Sequence, residues 1–449
     1  MRITAKSAVV LLLSMTSACS VPIKEVPSPV VLAEKFSVSG QAKLQNQWWQ
    51  SFNDAALNRL IDQALNENFT LLAAFNRLEQ ARAQAQKSGA ELIPAINNTV
   101  NAAQRSSDTA ATLNSFALGL AASYEVDLWG RIRANIQAAG LDTRAAEEDV
   151  ASAAISVSAE IAGTWYKLIE QRQQLNLLDS QIGINRDNVT MVTTRFRLGQ
   201  ATAADVFQQR QLLESVIGSR LGVIANIQVL ENQLAILLGK APGTIVIPEQ
   251  DSFPALPPIP ETGLSADLIQ RRPDLRKAYF RVQAADQRVA SAIADRFPRL
   301  SLAVGVDTSA PDLQSLFNNW MATIAGNLVT PLLDGGRRVA EVERSRAVSA
   351  EAVNTYGAAL INAVKEVENA LVQEHQQYQL VLNLDQQVQL SRQANAQIRL
   401  RYIYGAMDFL RVLSAMLSQQ SLERNHLLAQ QQLFDYRISL YRALASGRN

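Results

Sequence analysis

Few residues in this 449-residue chain are able to do chemistry. There are two histidines, His375 and His426, each in a run rich in Gln and Leu that reads as a helix. A histidine in that setting packs or faces water, and neither has the neighbours that a general base or a metal ligand needs. The adjacent acids Glu147 and Glu148 read as part of a solvated helix face rather than an acid–base pair. No glycine-rich loop follows a strand to cradle phosphate, and no metal-ligand spacing occurs. The expectation is therefore no enzyme, no cofactor and no metal. One thiol remains: Cys19 is the single cysteine, so the chain forms no intrachain disulfide.

The place of Cys19 gives that thiol a role. Arg2 and Lys6 precede a short apolar core, Val9 to Leu13, and small residues lead to Ala18. This is the layout of a secretory signal, too short in its apolar part to span a membrane. A sole cysteine at the cleavage junction resembles a bacterial lipoprotein signal, in which that cysteine becomes the lipidated first residue. Thr16 stands where such signals usually carry leucine, and plain cleavage after Ala18 with a free thiol is the alternative. Ser20, rather than an aspartate, implies sorting to the outer membrane. Cleavage removes Arg2 and Lys6 but no acid, taking the net charge from +1 to −1. Neither value suggests nucleic acid.

The elements that follow are dominated by one stretch, Arg131 to Leu198, without proline and with apolar residues at helical period among alanines, glutamines and charges. So long a pattern suggests a coiled-coil helix, and at 1.5 Å per residue it extends roughly 100 Å. Before it lie a proline-dotted lead over 20–47, the run Trp48-Trp49-Gln50-Ser51-Phe52, and a helix Ala55–Leu65 with Asp54 as N-cap. A second helix runs from about Leu71 to Leu92. After Pro94 the period changes to two, with a strand around Ile96–Ala102, a polar loop Arg105–Asn114, and a strand of about a dozen residues from Phe116 to Leu128. On that second strand Phe116, Leu118, Leu120, Ala122, Tyr124 and Val126 oppose Ala117, Gly119, Ala121, Ser123, Glu125 and Asp127. The alternation suits a strand of a soluble sheet or a membrane strand of 9–11 residues. A helix from about Asp205 to Leu238 closes the first half.

After a proline-rich linker the chain repeats itself. Gly336-Arg337 matches Gly130-Arg131, Gly405 matches Gly199, and Leu444 matches Leu238, all at an offset of 206. Each half carries two strands. Four strands cannot close a barrel, and strands in lipid leave no edge unpaired, so several chains must share one barrel: two would give eight strands, three would give twelve. The long helices would continue it as a tube.

At this point the chain resembles the TolC-like outer-membrane factors, in the lipoprotein (NodT-type) efflux branch. The resemblance rests on Trp48-Trp49 with Phe52, on Arg271-Arg272-Pro273-Asp274-Leu275, on Phe297-Pro298-Arg299-Leu300-Ser301-Leu302, and on the arginine/aromatic–glycine turns at Gly199 and Gly405. It implies an α+β membrane protein: a trimeric 12-stranded β-barrel, four strands per chain, continued by a long α-helical coiled-coil periplasmic tunnel, with an internal two-fold sequence repeat. The chain then divides into a signal peptide (1–18), an N-terminal strap and equatorial helix (19–70), a first repeat (71–239), an equatorial linker (240–272), a second repeat (273–445) and a short tail (446–449). The implied function is the exit duct of a tripartite efflux pump, lipid-anchored at Cys19 in the bacterial outer membrane, conducting drugs and toxic small molecules. Its implied partners are two further copies, a periplasmic adaptor and an inner-membrane pump. The alternatives are a duct for type I protein secretion or metal-ion efflux, or a periplasmic coiled-coil scaffold without a pore. By the same resemblance the periplasmic gate falls on Arg195, Arg197, Asp205, Arg401, Tyr404, Asp408 and Arg411. The adaptor-contacting tip falls on Gly199, Gln200, Ala201, Gly405, Ala406 and Met407. Relatives often place aspartates at the constriction where this chain has Arg411 and Ser414. A ring of Arg411 side chains would favour anions there.

Overall fold

A computed structural model describes residues 29–444, except 46, 109 and 265–266, and leaves undescribed the side chains of 107 and 110–112. The signal, Cys19 and the tail from 445 onward lie outside the described residues. In chain order come α1 (Ala55–Glu67), α2 (Phe69–Gly89), β1 (Ala95–Ser107), β2 (Ala110–Val126), α3 (Arg131–Arg197), α4 (Ala203–Leu237), α5 (Asp267–Arg271), α6 (Pro273–Ala294), β3 (Arg299–Ala310), β4 (Trp320–Val329), α7 (Arg337–Ile403) and α8 (Phe409–Ala443).

The duplication is strict in the helices. α3 and α7 have 67 residues each and α4 and α8 have 35 each, and the 206 offset holds at both ends of both pairs. It is loose in the strands, which run to 13, 17, 12 and 10 residues. The polar stretch Arg105–Asn114, expected as a loop, is mostly strand: β1 and β2 pair up to Ser107 with Ala110. Polarity alone does not end a strand, because the ladder is made by the backbone.

The chain divides into two units. In the first, gathering Asn76–Asp149 and Asp274–Ala359, the strands form one antiparallel sheet in the order β1-β2-β3-β4. Among the described residues its outer strands β1 and β4 each have one unpaired edge. One sheet face carries Leu302, Val304, Val306, Ile324 and Leu328, all exposed. At the inner end of β2, Glu125 pairs with Arg131 at 3.0 Å and Asp127 with Arg133 at 3.1 Å. Asp127 also accepts the Ile132 and Arg133 amides, capping α3. The start of α3 is tied to α6 by Arg276–Glu148 and Lys277–Asp149. Glu148 is thus a buried ion-pair member rather than part of a solvated face, whereas Glu147 is exposed and meets Arg82 at 3.3 Å.

The second unit comprises Leu32–Phe75, Val150–Pro273 and the chain from Leu360 onward. Its core gathers Trp48, Trp49, Phe52, Leu57, Ile61, Trp165, Tyr166, Phe434 and Tyr441. Trp48 stacks on Tyr441 and Tyr166 tilts against Phe434, with centroids 5.5 and 4.6 Å apart. Asp54 caps α1 through the Ala56 and Leu57 amides and accepts the Trp165 indole N–H at 2.9 Å. The lead chain pairs with the linker: the Gly40 amide donates to the Pro260 carbonyl and the Glu261 amide to the Ala42 carbonyl. A Cβ on Gly40 would lie 1.9 Å from the Ile259 carbonyl oxygen, so only glycine fits there. Arg272 caps the last turn of α8 through the Ala443 carbonyl and pairs with Glu366 at 2.8 Å. Buried Arg437 meets buried Glu374 and the Pro257 carbonyl of the linker.

Candidate functional site: the two helix turns

Both long helices end in the same way. Gly199 has φ +72°, the Gln200 amide donates to the Arg195 carbonyl at 2.8 Å, and the Gly199 amide donates to the Phe196 carbonyl. Gly405 has φ +75°, and Ala406 and Gly405 make the equivalent bonds to Arg401 and Tyr402. These are Schellman caps, whose left-handed residue glycine adopts without a Cβ penalty. The next helix then starts on a side-chain cap. Thr202 and Asp205 form a capping box for α4, and Asp408 accepts the Arg411 amide at 2.9 Å for α8. Both turns are thus built from local hydrogen bonds.

The link between the two turns is Arg195. Its Nη1 donates to the Ile403 carbonyl at 3.1 Å, and its guanidinium lies 4.6 Å from the Tyr402 ring centroid. Tyr402 is buried, packs on Phe409 at 5.6 Å, and has its phenol pKa raised by that burial, an effect the nearby Arg195 charge opposes. Tyr402, Phe409, Val206, Val192 and Met416 belong to one apolar cluster around the turns.

Arg195 is also the last member of a heptad column on α3. Lys167 pairs with Asp435 at 3.7 Å, and Gln174 donates to the Arg424 carbonyl at 2.8 Å. Gln181 accepts from Arg424 at 2.8 Å, and Asn188 donates to the Met416 sulfur at 3.0 Å. Polar residues spaced by seven on a helix seam fix its register at some loss of stability.

Of the residues expected at a gate, the structure joins Arg195 to the second turn and places Asp205 and Asp408 in caps. It does not join the arginines to the aspartates within the chain. Among the described residues Arg197, Arg401 and Arg411 are exposed and make no ion pair, and Tyr404 is 79% exposed. Of the tip residues, Gly199, Gln200, Gly405 and Ala406 are exposed and Ala201 and Met407 half-buried. The engaged aromatic is Tyr402, not Tyr404. A signal for it existed: Tyr402 stands three before Gly405, as Phe196 stands three before Gly199. No group of three or more His, Cys, Asp or Glu side chains forms a metal site among the described residues.

Residues 60–240 and 264–446, nearly the whole of both halves, match the Outer membrane efflux protein family. The chain belongs to that family. It is 29% identical to the pyoverdine export outer membrane protein OpmQ of Pseudomonas aeruginosa, over 89% of this chain and 87% of that protein. It is 28% identical to the cation efflux system protein CusC of Escherichia coli, over 95% and 94%. Among solved structures, the outer-membrane channel OprN superposes with a TM-score of 0.87 at 25% identity, covering 94% of this chain and 98% of the other. The outer membrane protein VceC of Vibrio cholerae gives 0.82 at 27%, covering 90% and 99%. The family consists of transport channels. The chain is an outer-membrane efflux channel, an exit duct that combines membrane strands with a coiled-coil helical tunnel.

Proposed function

We propose that three copies of this chain form one duct, anchored by acyl groups on Cys19, which receives drugs and other toxic small molecules from a periplasmic adaptor and an inner-membrane pump. The observation that carries the assembly is the sheet. It has four strands, two open edges and an exposed apolar face. Lipid tolerates such a face but no open edge, so β4 of one copy pairs with β1 of the next. The apolar stripe on α4 supports the same reading: Phe207, Leu221, Val229 and Ile236 are each more than 60% exposed and need cover from another copy. Length and composition alone would let α4 cross a membrane, but its place in the family fold makes it a tunnel helix.

In this reading residues 1–18 are the signal, 19–70 the N-terminal strap and equatorial helix, 240–272 the equatorial linker, and 71–239 and 273–445 the two repeats. The two turns close the periplasmic end. Arg195 fastens α3 to the second turn, and Arg197, Asp205, Arg401, Tyr404, Asp408 and Arg411 face the constriction or their neighbours in adjacent copies. Gly199, Gln200, Ala201, Gly405, Ala406 and Met407 form the tip that meets the adaptor. The duct itself catalyses nothing. The substrate range rests on the likeness to export proteins, one of them named a solvent efflux pump component in Pseudomonas putida.

The test is deletion and complementation. A strain lacking the chain should become sensitive to drugs or solvents and should recover with the intact chain. Introduced cysteines on β1 and β4 should cross-link only between copies. Unchanged sensitivity to every compound, or a β1–β4 link within one copy, would overturn the proposal.

A further inference from the structure

The middle of the sheet carries a single charge. Across residues 95–104, 113–124, 300–310 and 320–329 there is no Lys, Arg or Glu, and Asp307 is the only Asp. Pairing places Asp307 in one row with Thr99, Gly119 and Met321. The neighbouring rows on that face hold Asn101, Ala117 and Ser309 on one side, and Asn97, Ala121, Gly305 and Thr323 on the other. Leu120, Val306 and Ala322 line up on the opposite face. Asp307 is exposed and has no ion pair among the described residues. An unpaired carboxylate does not face lipid, so the Asp307 face is the wet one.

Its surroundings leave the carboxylate uncovered. The flanking position is Gly119, where a Cβ would sit 3.4 Å from the Asp307 Cβ and 2.9 Å from the Thr99 hydroxyl. The acids at the inner end of β2 are neutralised by Arg131 and Arg133. Arg105 lies six residues further along β1 than Thr99, about 20 Å at 3.3–3.4 Å per residue.

We infer that Asp307 sets the ionic preference of the barrel, as a ring of three carboxylates at one height that enriches cations in the lumen. The inference rests on the three-copy reading above. Twelve strands about 4.8 Å apart and tilted about 40° enclose a cylinder about 24 Å across between backbones. The carboxylates then lie roughly 8 Å from the axis, within the Debye length of about 10 Å at 0.1 M salt and far within the 30 Å at 0.01 M. No other charge of the mid-sheet opposes them. A lumen potential of about one kT enriches cations about 3-fold, and salt at 1 M removes the effect.

The test is the reversal potential of the full-length protein in planar bilayers under a potassium chloride gradient, at about 10 mM and again near 1 M mean salt. The protein should prefer cations at low salt and lose that preference at high salt. Asp307→Asn should lower the cation-to-anion permeability ratio about 7-fold at low salt, about 3-fold from each ion. Asp307→Lys should invert the preference and Asp307→Glu should retain it, each as a trimer in detergent. Equal reversal potentials for the Asn, Lys and wild-type channels at low salt would overturn the role of Asp307 while leaving the channel intact. A trimer-free, non-conducting wild type would instead overturn the shared barrel, and the ring with it.

Discussion

Arg195→Ala should loosen the periplasmic end of the duct without unfolding it. The side chain spends one charged hydrogen bond on the Ile403 carbonyl at 3.1 Å and one cation–π contact on Tyr402 at 4.6 Å. A hydrogen bond from a charged donor contributes about 1.5–3 kcal/mol, and at a half-buried site the lower figure applies. The cation–π contact adds about 0.5–1 kcal/mol. About 2 kcal/mol per chain shifts the balance between fastened and released turns roughly 30-fold. If three turns release together, about 6 kcal/mol is lost, close to four powers of ten. The readout is the open fraction of single channels in planar bilayers, with trimer recovery as the control. Arg195→Lys keeps the charge but loses the planar stack, and should fall between. Tyr402→Phe keeps the ring and removes only a hydroxyl with no partner among the described residues, so the Arg195 link should survive it. A correctly assembled Arg195→Ala channel with the wild-type open fraction would refute the fastening role.

Glu374→Ala leaves Arg437 charged and 3% exposed without its partner, which should destabilise the protein by about 3–5 kcal/mol and lower its melting temperature. Burial raises the Glu170 pKa above its ordinary 4.5, with the Gln174 and Gln171 hydrogen bonds opposing it. Folding therefore favours the protonated acid: this stabilisation is complete below 4.5 and is lost as pH rises through the raised value. Glu170→Gln should accordingly gain in melting temperature relative to the wild type as pH rises toward neutral, and parallel melting curves would contradict the assignment. Arg411→Ala should strengthen cation preference at the entrance, and unchanged reversal potentials would count against an Arg411 ring.

The helices were legible because their period runs unbroken and their ends carry glycine. Gly199 and Gly405 stop α3 and α7 as the sequence suggests, since the αL position leaves few residues a choice. The 206 offset was equally plain. The strand ends were less so. Arg105 and Asn114 look like loop residues because polarity alone does not separate a water-facing strand tip from a turn; that information lies in the cross-strand pairing. The column Gln174, Gln181 and Asn188 is polar in type, yet all three are buried and bonded to α8. Which polar face a coiled coil buries depends on the partner helix, which the single-helix period does not reveal. At the turns the arginines and aspartates were visible by type. Their partners were not, because Asp205 and Asp408 are taken by their own helix caps and Arg195 selects a carbonyl and a ring two hundred residues away.

The most direct measurement is the native mass of the detergent-extracted protein together with the mass of its N-terminal peptide. Three chains per particle and acyl groups on Cys19 are expected. A stable, lipid-free monomer that needs no detergent would contradict both.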